Sequence, residues 1–504
     1  MRKGEQTVRQ FKRLFAILAI FVALSSASWA EQRYARLTIL HTNDTHSHLL
    51  PFSYSTQTKP DGIALPAYKN VGGIARRATL IKRIRTEHQP ILLVDAGDII
   101  DGSPFSIEFA GEADVAAANA VGYEVMTVGN HEFSNTMADF LKRVQEAKFP
   151  MLGANVFKIS DGSPFLRAYI MKNEDGLRVA ILGVTIPNNY TATKGALTMA
   201  DPIACAADWV PKLRKQADVV MVLSHLGYDE DLKLAAQVPG IDIIVGGHSN
   251  TRLIHPILVK CDGAAQAFSV GGTVIAQAFH WGSELGEVDL VFHKGDSGWT
   301  LMKFDGKLIP ITSDIPEDPG VRAVVEKYHS KIAAKYDVVL CEATDDFVDE
   351  AAYNLVSDAL RESFGTDFSV HNYGGVRTDL IQGRITAGDI ADMFPFANAT
   401  LTFQATGVQI KELLRASKPA VGNIRYRVQG GKLVSAEIGG KPIEDTKVYS
   451  GVTSSFYAEN AFPEEIKTTD AGIGFRDVIM KYVKAKKTIS PDNENRTQFA
   501  RNRY

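Results

Sequence analysis

At 504 residues, 45% apolar and 22% charged, the chain has an ordinary globular composition and is too long for one average core. Two domains are expected, and wholesale disorder is excluded. The formal charge is −3, and about −7 without the basic leader, which argues against a nucleic-acid polymer as the main partner.

The leader comes first. Residues 1–30 run from basic MRKGEQTVRQFKRL through the apolar FAILAIFVALSSA to SWA, the pattern of a secretory signal peptide cleaved after Ala30. The apolar run is short of the roughly 20 residues a membrane span needs. No cysteine stands directly after it to carry a lipid, and no later segment is long and apolar enough to span. The protein is therefore expected to be exported, periplasmic or secreted, and free of the membrane after cleavage. Three cysteines remain, Cys205, Cys261 and Cys341. A Cys205–Cys261 bridge and three unpaired thiols both stay open, and the spacing is no metal signature.

From Tyr34 to about Phe292, short apolar runs recur, each closed by a polar turn: RLTIL, PILLVDAGD, EVMTVGNH, RVAILGV, DVVMVLSH, DIIVGGH, TVIAQAF and GEVDLVF. Continuous runs predict strands buried on both faces. Helical patterns between them, such as GGIARRATLIKRIRTEH and TMADFLKRVQEA, predict an α/β layered domain over 31–317. A polar-faced helix over 318–336, after a Pro-containing loop, marks the domain boundary. A second unit over 337–504 mixes helices with strands, and Thr406 reads as an N-cap inside TLTFQATGVQIKELLRAS.

Chemistry-bearing residues collect at the strand ends. Asp44 and His46 follow RLTIL, and Asp98 follows ILLVDAG. Asn130 and His131 follow VMTVG, where Gly129 is expected to let the backbone turn sharply. His225 closes VVMVLSH, and His248 and Asn250 follow DIIVGG. Ligands of open α/β sheets gather beyond the carboxyl ends of strands, so these groups can converge. Carboxylate, imidazole and amide oxygen suit Zn, Mn, Fe or Co better than Ca or Mg. The donors outnumber one site. Two ions about 3.5–4 Å apart need a shared ligand, and the Asp98 carboxylate can bridge. His41 and His48 flank the first motif in a supporting role. His88, His255, His280, His293 and His329 read as surface or core residues.

In this order, D-x-H, GD, GNHE, SHLG and GGHS-N resemble the calcineurin-like metallophosphoesterases. NYGGVRTDLIQGRITAGDIADMFPF resembles the C-terminal domain of the 5′-nucleotidase family, which includes secreted 5′-nucleotidases, UDP-sugar hydrolases and cyclic-nucleotide phosphodiesterases. The resemblance covers nearly the whole mature chain. It implies a four-layer α/β/β/α metallophosphatase domain joined by a helix to a smaller α+β substrate-binding domain. It implies one metal held by Asp44, His46, Asp98 and Asn250, and another by Asp98, Asn130, His225 and His248. His131 would stabilise phosphoryl charge or protonate the leaving group while a metal-activated water attacks. Asn372 and Arg377 match substrate-contacting residues, and Phe396 and Phe456 match two rings that sandwich a nucleobase. The implied partner is a small phosphoester, above all a nucleotide, with no obligate protein partner.

The chain departs from that pattern in three places. Ser134 stands where the family has the aspartate that pairs with the histidine, which predicts slower turnover or a shifted pH optimum. Acidic residues in DDFVDEAAYNL replace an expected arginine. Phe462 stands where a ribose-binding aspartate is usual. These departures leave room for the family branch that hydrolyses sulfur substrates on a carrier protein. They also leave room for a binding protein that keeps the fold with turnover weakened.

Overall fold

The structure is a computed structural model describing residues 34–55, 65, 68–187, 193–261, 271–296 and 298–499. The proposed leader lies outside the described residues.

Two six-stranded sheets pack face to face. In the first, the order is Gly298–Pro310, Glu284–Gly295, Tyr34–Thr42, Ile91–Asp95, Val125–Thr127 and Met151–Leu152. In the second it is Ile257–Val259, Thr273–Ala276, Ile243–Gly246, Val219–His225, Leu177–Thr185 and Tyr169–Glu174. Between the sheets lies a dry layer with Leu37, Ile39, Leu92 and Val94 from one and Ile181, Met221, Leu223 and Val245 from the other. Each sheet's outer face is covered by helices, Ile74–Glu87 and Glu112–Val121 on the first, Pro202–Arg214 and Tyr228–Gln237 on the second. Strands covered on both faces have no polar side to alternate, which is why they read as unbroken apolar runs. The result is a four-layer α/β/β/α domain.

The helix Pro319–Tyr336 starts on an Asp318 cap, whose carboxylate accepts from the Gly320 and Val321 amides at 3.1 and 3.0 Å. It is not a solvated spacer. Val321, Val325, Tyr328, Ile332 and Tyr336 are buried in the core of the first domain. Tyr328 donates to Glu112 at 3.0 Å and Tyr336 to Glu108 at 2.7 Å.

Beyond it, a five-stranded sheet runs in the order Ala420–Gly422, Phe368–His371, Val448–Ser454, Ala399–Thr406 and Thr468–Gly474. The helix Glu350–Phe364 packs on it and shares a core with Phe394, Phe475 and Val478. Thr406 caps the helix Gly407–Ser417 in a reciprocal box with Gln409, an arrangement worth about 1 kcal/mol. Ser55 of the first domain donates to Asp346 of the second at 3.2 Å. All three cysteines are free thiols. Among the described residues, no helix is long and apolar enough to cross a membrane.

Candidate metal centre

The strands Tyr34–Thr42, Ile91–Asp95 and Val125–Thr127 are parallel neighbours, as are Leu177–Thr185, Val219–His225 and Ile243–Gly246 in the other sheet. Residues just past their carboxyl ends meet where the two sheets open. Asp44, His46, Asp98, His248 and Asn250 all adopt left-handed backbone, with φ between 45° and 73°. Such a conformation is uncommon outside glycine and collects at functional sites.

Asp98 is the junction. Its Oδ1 accepts from the His131 amide at 2.8 Å, and its Oδ2 lies 2.9 Å from His225 Nε2 and 4.0 Å from His46 Nε2. Asn130 Oδ1 is 3.3 Å from His225 Nε2 and 3.0 Å from His248 Nδ1. Asp44 Oδ1 is 3.9 Å from His46 Nε2, and the Asp44 carboxylate accepts from the His248 amide at 2.9 Å. The donor atoms of Asp98, His225 and His248 lie within 4.8 Å of one another, as do those of His46, Asp98 and His131. The sequence-predicted centre is thus brought together, with His131 at its edge.

The chain approaches itself closely here. A Cβ on Gly97 would lie 2.6 Å from the Gly129 nitrogen, and one on Gly129 would strike the Asp98 carboxylate. Gly129 does not have positive φ. Its role is therefore to admit Asp98 rather than to turn the chain sharply.

Ring orientation is set from behind. His225 Nδ1 donates to the Ala96 carbonyl at 2.7 Å, and His46 Nδ1 to the Asp101 carbonyl at 2.9 Å. A carbonyl only accepts, so both rings carry the proton on Nδ1 and present Nε2 inward. Asn43 and Glu132, which sequence reasoning passed over, do similar work. The Asn43 amide donates to Asp44 at 2.7 Å and to the Phe279 carbonyl at 2.6 Å. The Glu132 carboxylate gathers the amides of Asp98, Ile99 and Gly129 at 3.0, 2.9 and 2.5 Å. His48 donates to the His46 carbonyl at 2.9 Å and stacks on Trp281, as a supporting residue should.

Electrostatics fit a cation. Burial pushes the Asp44 carboxyl up to about 7. Burial, with the His131 charge next, holds His46 down to about 3, and burial holds His248 down to about 4. Both imidazoles are therefore neutral and able to donate a lone pair. Burial also opposes charge on His225, yet the carboxylates of Asp98 and Asp44 overcome it and raise the group to about 10. Buried carboxylates here call for positive charge. Asn250 Oδ1 is buried without a hydrogen-bond partner, as a ligand oxygen would be. Spacings of 2.9–3.3 Å among Asp98, His225, Asn130 and His248 donors match the edge of a tetrahedron, about 3.4 Å for bonds of about 2.1 Å. The residues fit divalent metal.

The structure gives His131 a partner that the motif does not show. Ser134 Oγ is 3.3 Å from His131 Nδ1, but His131 does not lack a carboxylate. Asp101 Oδ2 lies 2.6 Å from that same nitrogen. Asp101 was missed because it sits thirty positions upstream on another loop; its signal was the second acid in GDIIDG. Burial works against charge on His131, but Asp98 and Asp101 outweigh it and raise its pKa.

From the C-terminal domain, the Arg377 charge adds a small push against protonation of His46, His131 and His248. Asn372 shapes its own loop, with its amide on the Tyr373 carbonyl at 3.3 Å and its carbonyl accepting from Gly375 at 3.4 Å. Phe396 is partly buried, edge-on to Phe394 at 5.7 Å, whereas Phe456 is 49% exposed. Among the described residues no ring contact joins these two. Phe462 is partly buried and packs edge-on against Phe403 and Tyr457, with ring centroids at 4.7 and 5.8 Å.

Comparison with known proteins agrees with this geometry. Residues 37–251 match the calcineurin-like phosphoesterase model, and residues 332–462 match the 5′-nucleotidase C-terminal domain. The chain is 28% identical to a 5′-nucleotidase of Vibrio vulnificus, with 88% of each chain covered. A crystal structure of a 5′-nucleotidase precursor from Thermus thermophilus superposes with a TM-score of 0.81 at 27% identity, covering 92% of this chain and 99% of that one. The sulfate thiohydrolase SoxB of Thermus thermophilus shares the fold, with a TM-score of 0.77 at 19% identity over 92% of this chain and 97% of that one. Fold and site define a metal-dependent phosphoester hydrolase. With its calcineurin-like domain followed by the nucleotidase C-terminal domain, the chain belongs to the 5′-nucleotidase family.

Proposed function

We propose that the protein is an exported hydrolase of nucleotides or related small phosphoesters. It would hold one divalent ion by Asp44, His46, Asp98 and Asn250 and a second by Asp98, Asn130, His225 and His248. Zn, Mn, Co or Fe suit this donor set. Bound there, two such ions would polarise the phosphoryl group and lower the pKa of an attacking water to about 7. The remaining work falls to side chains. His131, beside the Asp98 junction, hydrogen-bonds phosphoryl oxygen or gives a proton to the leaving group. Arg377 binds phosphate with its planar fork of donors. Phe396 and Phe456 stack on a base, Asn372 contacts the substrate, and Ser134 supports the histidine. The observation that carries this reading is the meeting of donors from five strand ends around one carboxylate.

The test is a substrate panel. The mature chain is loaded in turn with Mn²⁺, Zn²⁺ and Co²⁺ and offered AMP, ATP, UDP-glucose, 2′,3′-cyclic AMP and an aryl phosphate. Turnover of at least one nucleotide is expected; metal binding without any turnover sinks the reading. N-terminal sequencing of the exported product should begin at Glu31. A second reading, hydrolysis of a sulfur ester, draws support from the C-terminal domain: Asp349 stands in the segment where an arginine is expected, and Phe462 where a ribose-binding aspartate is usual. A carrier-linked thiosulfonate in the same panel separates the two.

A further inference from the structure

The family position for the histidine's acidic partner is occupied by Ser134, yet the chain has built a carboxylate contact by another route. Asp101 lies in the loop after strand Ile91–Asp95, on the opposite side of His131 in sequence from Ser134. Its Oδ2 is 2.6 Å from His131 Nδ1, the shortest contact that nitrogen makes among those described. Ser134 Oγ stands 3.3 Å from the same ring nitrogen. Asp101 also reaches a second imidazole. Its backbone carbonyl accepts from His46 Nδ1 at 2.9 Å, and the His46 and His131 rings meet edge to face at 4.9 Å.

The loop is shaped for this. Asp101 has φ 69°, a conformation that Asp and Asn tolerate better than most residues. A Cβ on the following Gly102 would lie 2.7 Å from the His46 carbonyl, so glycine is needed for the two loops to touch. Ser103 then donates to the Ser47 carbonyl at 2.8 Å and caps the helix Pro104–Phe109. Asp101 is therefore pinned on both sides, and its carboxylate is preorganised.

We propose that Asp101 is the positioning residue for His131, replacing from a different loop the acid that Ser134 lacks, and that it fixes His46 and His131 relative to each other. It accepts the Nδ1 proton of His131 and so directs Nε2 to the phosphoryl group. Ser134 plays a lesser part, its hydroxyl standing 3.3 Å from the same nitrogen. The proposal rests on the hydrolase reading given above.

The experiment uses the full mature chain with AMP and an aryl phosphate. Asp101→Asn keeps a residue that tolerates the left-handed turn and leaves the backbone carbonyl on His46 in place. It should lower kcat by about 10- to 100-fold, the usual scale for a residue that orients a working group, with KM and metal content nearly unchanged. Ser134→Ala should lower kcat less than Asp101→Asn does. In the double variant Asp101→Asn with Ser134→Asp, an acid returns from the family's own position and should restore most of the loss. A kcat for Asp101→Asn within about twofold of wild type overturns the proposal, on the same scale. So does a larger loss in Ser134→Ala. A readout that needs no turnover accompanies this: NMR of ring-nitrogen-labelled histidine in the Zn²⁺-loaded protein, with His131 assigned by its absence in His131→Gln. The wild type should show a hydrogen-bonded Nδ1 proton that Asp101→Asn loses; an unprotonated Nδ1 in the wild type overturns the contact. An inactive wild type would sink the hydrolase reading instead, and the NMR signature would still decide whether Asp101 holds the ring.

Discussion

The metal centre and the proposed substrate wall are built on different principles. On the metal side, every donor lies within a few residues of a strand end, Asp44, His46, Asp98 and His225 are buried, and several are held by a second group such as Ala96, Asn43 or Glu132. On the substrate side, Asn372, Arg377, Phe396 and Phe456 come from loops and the start of a short helix, and Phe456 is half exposed. The first wall is over-determined by packing and hydrogen bonds. The second rests on fewer side-chain bonds among the described residues, with Phe396 leaning on Phe394 and Asn372 bonding its own loop. Such a division lets one phosphoester chemistry serve many substrates.

The largest effect should come from the metal wall. Asp98→Ala removes the group that touches both halves of the centre. It should lower turnover by on the order of a thousandfold or more, the scale of losing a preorganised charge-stabilising group, and should lower bound metal as measured by elemental analysis. Activity surviving with one ion fully retained would break the idea of a shared carboxylate.

Chelation should come next. It should abolish turnover reversibly and lower Tm, read by calorimetry, by roughly 5–10 °C, because an ion at a hundred times its Kd contributes about 2.7 kcal/mol and a domain of this size shifts about 2–4 °C per kcal/mol. An unchanged Tm would mean the buried Asp44 and Asp98 carboxylates are neutralised without metal.

On the substrate wall the effects shrink and move to KM. Arg377→Ala should raise KM for every phosphoester by about 10- to 100-fold, the equivalent of one charge-assisted hydrogen bond, with Tm unchanged. A fall in kcat alone would place Arg377 with the metal wall instead. Phe456→Ala should raise KM for AMP by about tenfold and leave a small alkyl phosphate within about twofold, since only a base can stack. Equal losses on both substrates would show that Phe456 supports the fold rather than the base.

The metal wall was legible because its logic is local. A buried strand announces itself as an apolar run, and the residue that follows it must lie at the sheet's edge. Asp44, Asp98, Asn130, His225 and His248 could each be found from the strand before it. Asp101 and Glu132 were not legible in the same way. Each acts on a residue some thirty positions away, Asp101 on His131 and Glu132 on the Asp98 amide, and no periodicity records such a contact. Nor could the motif tell where the Phe462 ring packs, which is against Phe403 and Tyr457.

By itself, then, the sequence determined the layered α/β class, the strand ends that carry donors, and the type of metal those donors suit, because these follow from hydrophobic runs and ligand chemistry. Only the tertiary structure decided which carboxylate holds His131, that Gly129 serves close approach, and that the helix Pro319–Tyr336 belongs to the first core. Those are contacts between separate loops and layers. They exist only once both sheets have packed and their turns have been forced against one another.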